Sequence, residues 1–115
     1  MRKGLHMAKD DYFVIVYRIL KYLYDCLKKG QKADFINLDY EHLEINQYYW
    51  KYIIVNMIES GFISGVSIIE SNHGPIIRDI GINITPVGIE YLFENNLLQK
   101  IKKTLKDVKD ITPFI

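Results

Sequence analysis

From Asp10 to Lys29 apolar side chains recur every three or four residues with no Gly or Pro to interrupt them, the period of a helix. Asp10 and Asp11 open this stretch and Lys28-Lys29-Gly30 closes it, which suits the helix dipole and a glycine C-cap. The stripe Phe13, Val16, Tyr17, Leu20, Leu23, Tyr24 and Leu27 is the expected core face. A second row, Tyr12, Ile15, Ile19, Tyr22 and Cys26, is also apolar, leaving only a narrow strip around Arg18, Lys21 and Asp25 to be wet. So wide an apolar girth predicts cover from two sides, by the core and by another helix or a partner subunit.

Between Gln31 and Asn46 the pattern shortens. Asp39 is placed to cap a short helix over residues 40–43, and 44–46 turn the chain into the next element. That element spans Gln47 to Ser60 and ends at Gly61. Trp50, Ile53, Ile54, Met57 and Ile58 mark its buried face, with Gln47, Tyr48, Lys51, Tyr52, Val55 and Glu59 largely opposite. Two helices joined by a brief turn are the minimum of a helix-turn-helix. From Phe62 to Ile84 the period falls to two: Phe62, Val66 and Ile68 share one face, Ile80, Ile82 and Ile84 another, and Asn72-His73-Gly74-Pro75 supplies the turn of a β-hairpin. Thr85-Pro86 then offers an N-cap with Pro at the first helical position, and Ile89, Leu92 and Phe93 follow at helical spacing. A last helix is predicted from about Leu97 to Lys109. Leu97, Leu98, Ile101, Leu105 and Val108 lie on one side of it and five lysines around the rest.

This order predicts an α+β domain of winged helix-turn-helix type: a three-helix core, a β-hairpin wing and additional C-terminal helices. Residues 1–7 read as a cloning remnant or a disordered N-terminal segment, with Met7 a candidate native start. Residues 8–96 form the winged-helix domain, and 97–115 an amphipathic helix and tail packed on the first helix or on a dimer partner.

Two segments sharpen the reading. Trp50-Lys51-Tyr52-Ile53, then Met57-Ile58-Glu59-Ser60-Gly61-Phe62-Ile63 followed by Gly65-Val66, resembles the recognition-helix-into-wing passage of the YjcQ-like family. Ile84-Thr85-Pro86-Val87-Gly88-Ile89-Glu90-Tyr91-Leu92 is similar to the Thr-x-x-Gly segment of that family and of many other winged-helix proteins. The resemblance covers about residues 11–96. It implies a small bacterial or phage-associated protein whose fold suits nucleic-acid binding or regulation.

Composition narrows the classes. Of 115 residues, 49% are hydrophobic and 25% charged, as in a globular chain with its own core. Cys26 is the only cysteine, which excludes an intramolecular disulfide and any multi-cysteine metal site, and suits a reducing compartment. Its apolar helical setting reads as a buried, inert thiol. No run is long enough to span a membrane and no secretory signal is visible, so the expected location is the cytoplasm, with no membrane partner.

Charge by segment tests the nucleic-acid expectation, because phosphate neutralisation supplies non-specific affinity. Residues 1–30 carry seven basic and three acidic side chains, whereas 31–96, the helix-turn-helix and wing, carry three basic against nine acidic and stand at −6. Residues 97–115 return to +3. Two readings of the site follow. In one, Gln47 and Lys51 reach base edges of double-stranded DNA, Tyr48 and Tyr52 donate to phosphates and Arg78 enters the minor groove. In the other these are solvated residues of an acidic protein-interaction module. Ile15, Ile19, Tyr22, Leu98, Ile101, Leu105 and Val108 are the candidates for a packing surface, either within a monomer or across a homodimer.

Catalysis has the least support, and no metal or other cofactor is expected. His6, His42 and His73 have no second ligand at metal spacing, Glu41 and Glu44 read as solvated, and no Gly-rich phosphate loop exists. Gly61 and Gly65 are better explained as a helix C-cap and a strand glycine.

Overall fold

The computed structural model describes residues 8–94, 99–101, 103 and 105. The elements run α1 (Tyr12–Lys28), a 3-10 turn (Phe35–Asn37), α2 (Tyr40–Leu43), α3 (Gln47–Glu59), β1 (Ile63–Ile69), β2 (Ile76–Ile84) and α4 (Pro86–Glu94). Gln99, Lys100, Ile101, Lys103 and Leu105 are also helical. The architecture is α+β, with one antiparallel two-stranded sheet among the described residues. No helix among them is long and apolar enough to cross a membrane.

Helix α1 is the axis of the core and packs against α3, β2 and α4. Seven consecutive residues, Val14 to Leu20, are buried, so nearly two turns are enclosed on every side. Arg18, assigned to a wet strip by spacing, is therefore only 5% exposed. Burial lowers the pKa of its guanidinium, and the carboxylate of Glu44 opposes that shift. The strip itself narrows to the Lys21–Asp25 ion pair at 2.7 Å. Phe13 and Leu27, placed in the core stripe by their spacing, are 42% and 44% exposed because they sit at the two ends of α1, beyond the enclosed middle.

The turns obey local rules. Gly30 adopts φ +68°, the N–H of Gln31 donates to the Cys26 carbonyl and that of Gly30 to Leu27, closing α1 in a Schellman arrangement. Gly61 repeats it for α3. Asp39 caps α2 through the His42 N–H at 3.0 Å, and Asn46 caps α3 through the Tyr49 N–H at 2.8 Å. Asp11, although it precedes α1, accepts from the Ala8 N–H rather than from the first turn of the helix. The 3-10 turn is fastened from both sides. The Tyr22 hydroxyl accepts from the Asp34 N–H and the Asn37 amide, and Trp50 donates its indole N–H to the Leu38 carbonyl at 2.8 Å.

The hairpin is paired in two blocks separated by a bulge. Ser64 faces Asn83 and Val66 faces Asp79, so Gly65 stands opposite three residues, Ile80 to Ile82. A Cβ on Gly65 would collide with the Gly81 carbonyl, which explains a glycine there. The Asp79 carboxylate closes the bulge by accepting from the Gly81 and Ile82 N–H groups, both at 2.9 Å. The bulge breaks the expected alternation of Ile80, Ile82 and Ile84: the last two are buried, whereas Ile80 is 64% exposed. Beyond the bulge no hairpin residue is fully buried, and Val66 and Ile77 pack only partly against the core.

At the base of the hairpin, Thr85 joins three elements. Its hydroxyl donates to the Gly61 carbonyl at 2.5 Å and accepts from the Gly88 N–H at 3.0 Å, while its own N–H donates to the Phe62 carbonyl. Gly88 lies so close to that Phe62 carbonyl that a Cβ would overlap it. Thr85→Ala is expected to cost about 1–2 kcal/mol through the lost cap and lost hydrogen bond. Gly88→Ala should cost about 1–3 kcal/mol through overpacking against backbone. Urea denaturation checks both, and a midpoint unchanged in Gly88→Ala would contradict the close approach.

Candidate functional site

The exposed side of α3 and the turn of the hairpin enclose a groove of about 420 Å³. Its helix wall is Gln47, Tyr48, Lys51, Tyr52, Val55 and Asn56, and its other wall is His73, Gly74 and Pro75. The helix wall exists because α3 buries Trp50, Ile53, Ile54 and Met57 in the core, which turns the interleaved residues outward at i, i+3 and i+4 spacing. Ser71 holds the turn: its hydroxyl donates to the Gly74 carbonyl and accepts from the His73 N–H.

Tyr48 is 86% exposed and Tyr52 56%. Tyr52 meets Tyr12 edge to face at 6.3 Å, which anchors the second ring while leaving the first free in solvent. Asn56 donates its side-chain amide to the Tyr52 carbonyl at 2.8 Å, so its carbonyl oxygen is the end left for other contacts. Lys51 is the one Lys or Arg in the lining, and no carboxylate lines the groove. This changes the meaning of the segment charge of −6. Asp34, Asp39 and Asp79 are occupied with the N–H groups of Ile36, of His42, and of Gly81 and Ile82, away from the groove.

Four of the five residues singled out as nucleic-acid contacts, Gln47, Tyr48, Lys51 and Tyr52, thus stand on one wall. Arg78 does not join them. It is exposed on β2 opposite Ser67 and outside the groove lining. Val55, Asn56 and the turn residues belong to the site although they were not among its expected contacts. Helical spacing from Tyr48 and Tyr52 signals the first two, but the approach of the turn to α3 is a tertiary fact. Of the candidate packing surface, Ile15, Ile19, Ile101 and Leu105 lie in the buried cluster of the single chain, and Tyr22 is half-buried with its hydroxyl engaged. Leu98 and Val108 lie outside the described residues, as do residues 1–7.

A second, shallower hollow of about 310 Å³ lies between Phe62, Val87, Glu90, Tyr91 and Glu94, floored by the stacked Phe62 and Tyr91 rings. Among the described residues no three His, Cys, Asp or Glu side chains are grouped as a metal site requires. Cys26 is buried.

The family model described as YjcQ protein matches residues 17–111, most of the chain. The chain belongs to the YjcQ family. The match takes in α1 from its middle, the groove, the Thr85–Gly88 junction and the residues beyond α4, so the YjcQ pattern extends past the 11–96 segment read from the motifs. Neither a curated protein nor a solved structure matches the chain.

Four partly or fully buried tyrosines, Tyr12, Tyr17, Tyr49 and Tyr91, carry a pH signature. Burial, followed by the charges of Tyr52 and Tyr91, raises the Tyr12 hydroxyl above its ordinary value of 10.0; burial and then Asp10, Asp11 and Tyr12 raise Tyr49. Tyr17 and Tyr91 are raised mainly by burial. A folded-state value above the unfolded one means that the unfolded chain loses these protons first. Their contribution to stability is whole below pH about 10 and is lost as pH rises toward the folded values. Urea midpoints should fall above that pH, and Tyr12→Phe with Tyr49→Phe should make the fall shallower. An identical fall in the double variant would contradict the assignment.

Proposed function

We propose that this YjcQ-family chain is a winged-helix DNA-binding module that acts by binding rather than by catalysis, with α3 as its recognition helix and the β1–β2 hairpin as its wing. The observation that carries the reading is the convergence of Gln47, Tyr48, Lys51 and Tyr52 with the hairpin turn on one groove that no carboxylate lines. Gln47 and Lys51 are the residue types that reach base edges, and tyrosine hydroxyls donate to phosphate oxygens. The element order of helix, short helix, helix, hairpin and helix supports the same reading. Bacterial or prophage regulation in the cytoplasm is the setting that this activity suits.

A specific observation favours a second reading. Residues 31–96 are at −6, and Val55, Pro75 and two exposed tyrosines make the groove suitable for a protein partner.

Fluorescence anisotropy of a mixed-sequence duplex, titrated at low and near-physiological salt, separates them. DNA binding predicts affinity that weakens with salt and a loss of at least about tenfold in Lys51→Glu, which replaces an attraction by a repulsion. Unchanged binding in that variant, with loss on neutralising Lys102, Lys103 and Lys106, would move the site to the terminal helix. No binding of that duplex or of a single strand of equal length at low salt, where charges are least screened, would favour the protein-interaction reading.

A further inference from the structure

The inventory of the groove is unusual for a reader of duplex DNA. Proteins that hold a duplex by its phosphates use about 6–10 such contacts. Here the lining supplies Lys51 alone, and residues 31–96 add only Lys32 and Arg78. What the groove has in place of cations is aromatic surface. Tyr48 and Tyr52 lie one helical turn apart, about 6 Å along the axis, and both rings are exposed. Every nucleobase offers a π-face to such rings once it is unpaired, and none does so while stacked inside a duplex.

We infer that the groove between α3 and the hairpin turn takes unpaired nucleobases, so that single-stranded nucleic acid is the ligand class; this rests on the nucleic-acid reading above and deepens it. Tyr48 and Tyr52 supply the stacking faces. Lys51, between them in sequence, neutralises a phosphate, and the absence of carboxylates from the lining leaves the backbone unrepelled. At about 420 Å³ the groove has the scale of a small-molecule site, roughly 300–1,000 Å³, which suits a nucleotide rather than a paired helix. Tyr52 is held from behind by Tyr12, whereas Tyr48 stands free, so Tyr48 gains most from a base laid on it. Gln47 and the Asn56 carbonyl beside the rings, with His73 on the opposite wall, are the neutral hydrogen-bonding side chains of the lining, too few to read a sequence, so binding tolerates many sequences.

The test compares a labelled oligothymidylate strand with a mixed-sequence duplex of equal length, titrated with the full chain by anisotropy at several salt concentrations. The strand should bind at least tenfold more tightly than the duplex. Its affinity should fall with a log–log salt slope of about 0.7, the loss for one phosphate neutralised on a single strand. Tyr48→Ala should weaken strand binding about tenfold or more, and Tyr48→Phe should preserve it. Because Tyr48 is a solvated side chain, an unchanged circular dichroism spectrum in both variants separates lost contact from lost fold. A duplex that binds as tightly as the strand, or strand binding indifferent to Tyr48→Ala, would overturn this inference while leaving DNA binding intact. Failure of both ligands at low salt would overturn both readings.

Discussion

The hydroxyl of Thr85 is the point on which the arrangement depends. It bonds simultaneously to the Gly61 carbonyl, where α3 ends and the hairpin begins, and to the Gly88 N–H in the first turn of α4. The Thr85 N–H and the close approach of Gly88 engage the next carbonyl along, that of Phe62. Four short contacts therefore tie the C-terminus of α3, both ends of the hairpin and the start of α4 into one joint. Any hairpin that left this joint at another angle would carry its turn away from α3, and the groove would not exist. The Thr-x-x-Gly spacing has a physical meaning here: the first residue caps the helix and the last has no side chain to obstruct the carbonyl it rests on.

The hairpin needs a second constraint, because a projecting two-stranded ribbon is marginal by itself. The missing Cβ of Gly65 lets the strands approach closely at the bulge, Gly81 takes φ +112°, and Asp79 holds the extra residues by two backbone N–H groups. Below the bulge Ile63, Ile82 and Ile84 are buried; above it the ribbon is half-solvated and meets α3 through its turn. Asp34, Asp39 and Asp79 act as structural acceptors, and the groove is lined by one lysine and no carboxylate within a segment of charge −6.

Much of this was legible in the sequence where one stretch of chain decides the outcome. The glycine C-caps at 30 and 61, the Asp39 cap and the Thr85-Pro86 start of α4 all depend on neighbouring residues, and all appear where the residues place them. The outward wall of α3 was legible because burial of Trp50, Ile53, Ile54 and Met57 fixes what lies opposite. Arg18 was not, since a charged side chain surrounded by apolar neighbours reads as the wet face until the elements enclosing α1 are known. The 3-10 turn at Phe35–Asn37 depends on Tyr22 and Trp50, more than ten residues away, and the bulge on two glycines in different strands. The groove itself joins residues 47–56 to 73–75, a contact that no local pattern announces.

The central claim is that the Thr85 joint is part of the cooperative fold and thereby holds the hairpin over α3. Native-state hydrogen exchange of the Thr85 and Gly88 amides tests it most directly, since both donate inside the joint. The account predicts exchange only through global unfolding, with opening free energies equal to that of denaturation and sharing its urea dependence. Exchange of these amides by local opening, well below the global free energy and insensitive to urea, would contradict it.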